Sequence, residues 1–123
     1  MGSDRLTDRV IGLAIEVHKS LGPGLLESAY ENCLSYELDS FGLAFTKQKS
    51  IPIKYKNVQL NCGFRADVIV EDQLLLELKA IGKILPLHEA QLLTYLKLTG
   101  LKTGLILNFN TVLLKDGIRR MVL

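Results

Sequence analysis

The chain has 123 residues, of which 48% are hydrophobic and 23% are charged, and its formal net charge is +2. These values are ordinary for one globular domain with a substantial core, so we expect a single domain over residues 1–123, and the small positive charge does not by itself indicate a nucleic acid partner. The apolar runs are too short for a membrane span, the first residues lack a signal-peptide core, and the two cysteines lack a CxxC spacing, so we expect a cytoplasmic protein with reduced thiols.

Two amphipathic helices are predicted in the first third of the chain. Apolar residues recur at helical spacing over residues 7–20 and again over residues 25–40. Gly22 suits a left-handed cap and Pro23 cannot continue a helix, so the chain breaks between the two. Gly42 ends the second helix.

Strand patterns dominate residues 45–80. Within residues 45–55, Ile51, Ile53 and Tyr55 stand at alternate positions, and Pro52 restricts part of that run to a sheet edge or a bulge. The next strand is predicted over residues 58–70, with a bulge at Gly63, and residues 74–80 are expected to pair with it.

The last third of the chain begins with a helix that Pro86 opens and that ends at Thr99 and Gly100. Residues 103–109 form a strongly apolar strand pattern, and residues 112–114 and 118–123 are predicted to form a final hairpin. The resulting order is two helices, three strands, a helix and two or three strands. This order favours an α/β or α+β layered domain with a mixed sheet.

Charged side chains interrupt the two most apolar strand patterns. Asp67 lies within the run 64–70, and Glu77 and Lys79 lie within the run 74–80. Buried strands rarely carry charge, so these groups need partners or a metal ion. Residues two apart on a strand face the same way, and a tight hairpin would bring Asp67 towards the face that Glu77 and Lys79 share.

Two carboxylates and a lysine in this arrangement favour a metal-dependent phosphodiesterase. Carboxylate oxygens select Mg²⁺ or Mn²⁺, which can polarise a phosphoryl oxygen and lower the pKa of bound water. A nearby lysine can orient or deprotonate that water, or stabilise charge at phosphorus. The alternative is a structural cluster in which Lys79 neutralises Glu77, because Glu-x-Lys is common on strands. The additional carboxylate of Asp67 favours the metal site.

Helix residues are weaker candidates. Gln91 and Tyr95 are four apart on the third predicted helix and share a face. They either support the metal site and Lys79 or are a half-exposed polar residue and a core tyrosine. Glu27 lies within Gly-x-x-Glu-x-x-Tyr at residues 24–30, and it is either a first-turn glutamate favoured by the helix dipole or a third carboxylate of the site. Spacing alone does not decide between these alternatives.

Lysines recur through the first strand region. They are Lys47, Lys49, Lys54 and Lys56. Such a series is either a solvated edge that guards against aggregation or a weak phosphate-tracking stripe. Few aromatic residues are interleaved with them, so base stacking is not indicated.

Taken together, these motifs resemble the PD-(D/E)XK nuclease superfamily, and specifically its small bacterial and archaeal GxxExxY proteins. The segments that carry the resemblance are residues 15–30, 64–67, 76–79, 88–96, 108–110 and 115–120, which together extend over nearly the whole chain. Ala66 departs from the pattern, because it stands where the name-giving proline would be.

The resemblance implies a restriction-endonuclease-like core, in which a mixed sheet is flanked by helices in the order ααβββαββ. The metal ligands that it implies are Asp67, Glu77, Glu27 and the backbone carbonyl of Leu78. It further implies that Lys79 is the catalytic lysine and that Gln91 and Tyr95 match the Gln-x-x-x-Tyr helix of RecB-like nucleases.

The function that the resemblance implies is a Mg²⁺- or Mn²⁺-dependent nuclease, with DNA expected as substrate rather than RNA. The alternative is a non-catalytic module that binds nucleic acid or protein and keeps the nuclease fold. Because the chain is small and carries only +2, either a partner protein or a homodimer is expected to supply further surface.

Overall fold

The computed structural model describes residues 4–123, and the first three residues of the predicted domain lie outside the described residues. Its helices are α1 (Arg5–Leu21), α2 (Glu27–Ser40) and α3 (Pro86–Thr99). Its strands are β1 (Phe45–Ser50), β2 (Ile53–Tyr55), β3 (Val58–Leu60), β4 (Arg65–Val70), β5 (Leu74–Lys79), β6 (Thr103–Asn108) and β7 (Ile118–Val122), and a short 3-10 helix covers Leu114–Gly117. No helix within residues 4–123 has the length and apolar character needed to cross a membrane.

Five strands form the main sheet, in the order β1-β4-β5-β6-β7. β5 and β6 are parallel, because α3 connects them, and the other neighbours are antiparallel. β2 and β3 form a separate two-stranded sheet. The mixed sheet flanked by helices confirms the predicted fold class, and the strands of the main sheet follow the predicted order ααβββαββ.

Two apolar clusters lie on opposite faces of this sheet. The larger cluster joins α1 and α2 to one face, and the smaller cluster joins α3 to the other. β5 supplies Leu74, Leu76 and Leu78 to the first cluster and Leu75 to the second. This burial on both faces explains why the β5 segment reads as a nearly continuous apolar run.

The helices end close to the predicted glycines, but α1 begins at Arg5 rather than at the predicted residue 7. The Asp4 side chain accepts a hydrogen bond of 2.6 Å from the backbone N–H of Thr7 and so caps the start of α1. Gly22 follows α1 with a φ of 71°, and Gly100 follows α3 in the left-handed conformation with a φ of 79°. α2 begins at Glu27 rather than at the predicted Leu25.

The prediction of one strand over residues 58–70 is wrong. β3 and β4 belong to different sheets, and residues 61–64 connect them. Pro52 lacks the N–H that a continued ladder needs, so the chain leaves the main sheet after β1. Gly63 then turns the chain with a φ of 81°, and its N–H donates to the Asn61 side chain at 3.4 Å.

The predicted hairpin between residues 112–114 and 118–123 is also wrong. Residues 112–113 are irregular, Leu114 opens the 3-10 helix with its side chain in the core, and β7 pairs with β6 instead. The loop is held close to the end of β6, because the Thr111 hydroxyl donates to the Asn108 carbonyl at 3.2 Å. The local alternation of apolar residues therefore reflects packing of a loop rather than strand pairing.

Candidate active site

Asp67 and Glu77 lie opposite each other where β4 and β5 stop pairing. The ladder between these strands ends at the Val68–Leu76 pair, and Asp67 and Glu77 are the next opposed residues. Their carboxylates replace ladder bonds beyond that point. The backbone N–H of Leu78 donates to Asp67 Oδ2 at 2.8 Å, and the backbone N–H of Asp67 donates to Glu77 Oε2 at 3.3 Å. Each carboxylate is thus tied to the opposite strand.

The ladder between β1 and β4 is interrupted at the same level. Lys47 pairs with Val68 and Lys49 pairs with Ala66, but Gln48 does not pair with Asp67. Gln48 has a φ of 53°, a conformation that costs energy outside glycine. Both strands beside Asp67 therefore depart from regular pairing at this residue.

The interruption changes the direction in which β4 side chains point. Ala66 packs in the cluster beside α3, whereas Val68 packs in the cluster beside α1 and α2. Residues two apart on a regular strand would face the same side. The side chains of β4 thus switch from one face of the sheet to the other between Ala66 and Val68, and Asp67 lies at that switch. Elements on both faces of the sheet can therefore approach Asp67.

Gln48 and Glu31 join this site, although the sequence patterns did not single them out. Gln48 Nε2 donates to Glu31 Oε1 at 2.9 Å and lies 3.5 Å from Asp67 Oδ1. Glu31 lies one helical turn after Glu27 on α2, and that spacing was a usable signal for a shared face. The role of Gln48 depends on its pairing position and backbone conformation, for which the sequence carries no pattern.

Burial and mutual repulsion make the ionised acidic pair costly. Only 8% of Glu77 is exposed, and burial, followed by the negative charge of Asp67, raises the pKa of Glu77 to about 8. Burial also raises the pKa of Asp67, against the lowering effect of the Leu78 N–H and of the Lys79 charge. Ionising both carboxylates together therefore requires a compensating positive charge at the site.

Lys79 shares the face of Glu77 because it lies two residues further along β5. Its charge lowers the pKa of both Asp67 and Glu77, yet none of the ion pairs found within residues 4–123 includes it. Lys79 therefore acts on Glu77 through its charge and not through a direct ion pair. The backbone carbonyl of Lys79 accepts a hydrogen bond of 2.8 Å from Phe109, so β5 remains fixed up to this residue.

The Leu78 backbone faces the acidic pair. Its N–H binds Asp67, and the N–H and C=O of one strand residue point towards the same neighbouring strand. The Leu78 carbonyl therefore lies on the edge of β5 that faces β4. Beyond β5, the buried side chain of Asn108 bonds both the N–H and the C=O of Ile81 at 3.0 Å, which holds the chain that leaves the site.

α2 brings Glu27 to the site through a fixed turn. Glu27 is exposed, and its negative charge contributes to raising the pKa of Glu77, after burial and the charge of Asp67. The two carboxylates therefore interact electrostatically. The Tyr30 hydroxyl donates to the Gly22 carbonyl at 2.6 Å and accepts from the Leu25 N–H at 3.1 Å. Gly24 has a φ of 100°, which favours glycine. These contacts give the Gly-x-x-Glu-x-x-Tyr spacing a structural reason.

α3 brings Tyr95 to the other side of the site. Burial, and then the charges of Glu77 and Asp67, raise the pKa of Tyr95, which places its hydroxyl within their electric field. Gln91 lies one turn earlier and is exposed. Within the described part of the chain, no hydrogen bond joins Gln91 to the acidic pair. Over residues 4–123 the structure therefore shows an electrostatic interaction of the acidic pair with Tyr95 but no hydrogen bond to Gln91.

The donor set is suited to a hard divalent cation. Among residues 4–123, no group of three or more His, Cys, Asp and Glu side chains is arranged as a ready metal cage. Mg²⁺, however, usually keeps several waters and binds through one or two carboxylates together with substrate phosphate. The oxygens of Asp67, Glu77 and the Leu78 carbonyl fit that mode of binding, because a bound cation would favour the ionised form of both carboxylates.

Comparisons with known proteins agree with this geometry. A family model described as the PD-(D/E)XK nuclease superfamily matches residues 4–121. No curated protein and no solved structure matches the chain.

Proposed function

This chain belongs to the PD-(D/E)XK nuclease superfamily, and on that premise we propose that it is a metal-dependent nuclease that hydrolyses phosphodiester bonds of nucleic acid. The observation that carries the proposal is the pair of carboxylates, the half-buried Asp67 and the buried Glu77, in the gap between two strands, with Lys79 on the same face as Glu77. The Gly-x-x-Glu-x-x-Tyr motif at residues 24–30 supports membership of the GxxExxY group within the superfamily.

We expect Mg²⁺ or Mn²⁺ as the cofactor and DNA rather than RNA as the substrate. The oxygens that would hold the ion are those of Asp67, Glu77 and the Leu78 carbonyl, with Glu27 reaching the site from α2. When bound, a divalent ion supplies Lewis-acid polarisation of a phosphoryl oxygen and a lowered pKa for water. Positive charge there would also offset the effects of burial and of the Asp67 charge, which together raise the pKa of Glu77.

The protein side chains supply position, proton transfer and charge stabilisation. Lys79 orients the attacking water or stabilises the negative charge that develops at phosphorus. The Tyr95 hydroxyl, which like any tyrosine carries its proton at neutral pH, can donate to a phosphate oxygen. Gln48 steadies the Asp67 carboxylate from β1. Gln91 makes no hydrogen bond to the acidic pair within residues 4–123, and we propose that it extends the wall beside Tyr95, one turn away on α3.

The test is cleavage of linear, circular and single-stranded DNA and of RNA, with and without Mn²⁺. We expect Lys79→Ala to lower the cleavage rate by about 10²–10⁴-fold with an unchanged circular dichroism spectrum. Lys97→Ala, which changes an exposed lysine in the last turn of α3, is the matched control and should cleave like the parent. Equal cleavage by Lys79→Ala and the parent would remove Lys79 from the mechanism.

The same assay separates the proposal from a non-catalytic module. Such a module would bind nucleic acid but leave every substrate intact in either metal. Calorimetric titration with Mn²⁺ adds an independent readout, because Asp67→Asn should abolish the heat of binding that the parent shows. A parent that neither binds the ion nor cleaves any substrate would refute the nuclease proposal.

A further inference from the structure

Basic residues are concentrated in one segment of the chain. Residues 46–66 contain five of them and no acidic residue, namely Lys47, Lys49, Lys54, Lys56 and Arg65. The whole chain has 15 basic and 13 acidic residues, so the remainder carries 10 basic against 13 acidic, a net charge of −3. A polyanion would therefore be attracted to this segment and repelled, on average, by the rest of the surface.

The segment contains a hairpin that projects from the main sheet. β2 and β3 pair only with each other, and the hairpin turns at Lys56 and Asn57, both with positive φ. The backbone N–H of Ile51 donates to the Phe64 carbonyl at 2.8 Å, which closes the root of the hairpin. All four lysines and Arg65 are exposed.

The two faces of the hairpin differ in chemistry. Lys54 opposes Gln59, which gives one polar face. Tyr55 opposes Val58 on the other face, and these side chains are 58% and 53% exposed. An aromatic ring is thus presented to solvent between two lysines, and Lys56 Nζ lies 5.4 Å from the centre of that ring.

An aromatic contact connects the hairpin root to the acidic site. The rings of Phe64 and Tyr95 lie 6.0 Å apart, and Phe64 is 39% exposed. Tyr95 in turn lies in the field of Glu77 and Asp67. A chain that bound along the hairpin and passed Phe64 would therefore arrive at the carboxylates.

We propose that the β2–β3 hairpin and Phe64 form a docking surface for single-stranded nucleic acid, which they lead into the acidic site. The part of this proposal in which the nucleic acid is led into the acidic site rests on the proposed function. Without a cation, the two carboxylates of the acidic site do not attract phosphate, so we expect most of the affinity to come from elsewhere on the surface. Lysine side chains neutralise phosphates, and exposed aromatic rings stack on unpaired bases. A duplex keeps its base faces inside the stack, so it can use the lysines but not Tyr55.

The charge contribution is tested by the salt dependence of binding. Anisotropy of a labelled, mixed-sequence DNA strand is measured in EDTA, where no cleavage occurs, with the Lys54→Gln/Lys56→Gln variant. Ion pairs within residues 4–123 include neither lysine, so the variant should fold. Loss of two phosphate contacts should lower the slope of log K against log salt by about 1.4. Lys19→Gln/Lys115→Gln makes the same charge change on α1 and the 3-10 helix and should leave the slope unchanged.

The stacking contribution is tested with Tyr55→Ala. We expect its affinity for the single strand to fall by about five- to a hundredfold, with little change for the duplex of the same sequence. Tyr36→Ala removes another exposed tyrosine, from α2, and should bind like the parent.

Binding that is unchanged in both hairpin variants would overturn this inference, even if the parent cleaves DNA. Equal affinity of the parent for duplex and single strand, with no effect of Tyr55→Ala, would overturn the preference for single strands. Conversely, a parent that binds as expected in EDTA but cleaves nothing in Mn²⁺ would refute the proposed function and support the docking surface.

Discussion

Replacing Glu77 with glutamine should stabilise the protein at alkaline pH when no divalent cation is present. Glu77 is 8% exposed and faces Asp67, so burial and then the charge of Asp67 raise its pKa from the ordinary 4.5 to about 8. A glutamine at this position keeps an oxygen that can accept the Asp67 N–H. Its amide can also donate to the Asp67 carboxylate, which removes the repulsion.

The sign of the pH dependence follows from proton binding. Between pH 4.5 and about 8 the folded parent binds more protons than the unfolded chain, so the free energy of unfolding falls as pH rises. Below this interval Glu77 is protonated in both states, and above it the loss is complete. At about 1.4 kcal/mol for each pH unit, the whole interval corresponds to at most about 5 kcal/mol, and we expect a difference of about 2–5 kcal/mol.

The assay is urea unfolding followed by circular dichroism, because the chain contains no tryptophan. Parent and Glu77→Gln are compared in EDTA across the pH interval. Glu16→Gln, at an exposed position of α1, supplies the effect of the same chemical change in solvent. Added Mg²⁺ should stabilise the parent at alkaline pH more than Glu77→Gln, since only the parent offers both carboxylates.

The reasoning would be refuted by a parent whose stability is flat or increases between pH 4.5 and 8 relative to Glu77→Gln. It would equally fail if Glu77→Gln and Glu16→Gln showed the same pH profile. Either result would mean that the ionised pair is not costly in the folded state, and the main electrostatic reason for a cation at this site would be lost.

Three further substitutions test other parts of the structure. Tyr30→Phe removes the hydroxyl that bridges residues 22–25, and the free energy of unfolding in urea should fall by about 1–3 kcal/mol; an unchanged value would contradict the turn geometry. Gly117→Ala would press a new Cβ against the backbone oxygen of Asn108, so the free energy of unfolding, measured by thermal denaturation, should fall by about 1–3 kcal/mol. A variant as stable as the parent would exclude that close approach. Glu27→Gln should weaken Mn²⁺ binding in calorimetry but change stability by less than about 0.5 kcal/mol, whereas unchanged binding would remove Glu27 from the metal site.

Local signals were sufficient to predict the helices and the order in which helices and main-sheet strands follow one another along the chain. Gly22 and Pro86 mark helix ends through their own backbone preferences, which need no distant partner. The strand over residues 58–70 could not be divided correctly, because alternation of apolar residues continues through Gly63 although the chain changes sheets there. Which strand pairs with which is decided by distant partners, and residues 112–114 were misassigned for the same reason.

The candidate site was partly predictable for a similar reason. Asp67, Glu77 and Lys79 stand out because charge within an apolar run is visible in the sequence alone. Gln48 carries no such mark, since its contribution depends on a position opposite Asp67 and on a positive φ. The roles of these residues in catalysis and metal binding remain predictions that the experiments above address.

The hairpin leaves the main sheet and returns to it at neighbouring points, Ile51 and Phe64. The pairs that set the register around Asp67 lie in β1, β4 and β5, so the segment between those points can lengthen, shorten or change its sequence without moving the carboxylates. With the proposed roles, the architecture separates target selection from chemistry. We expect that exchanging this one surface insertion would redirect the proposed nuclease to other targets, as loops are exchanged on rigid frameworks elsewhere.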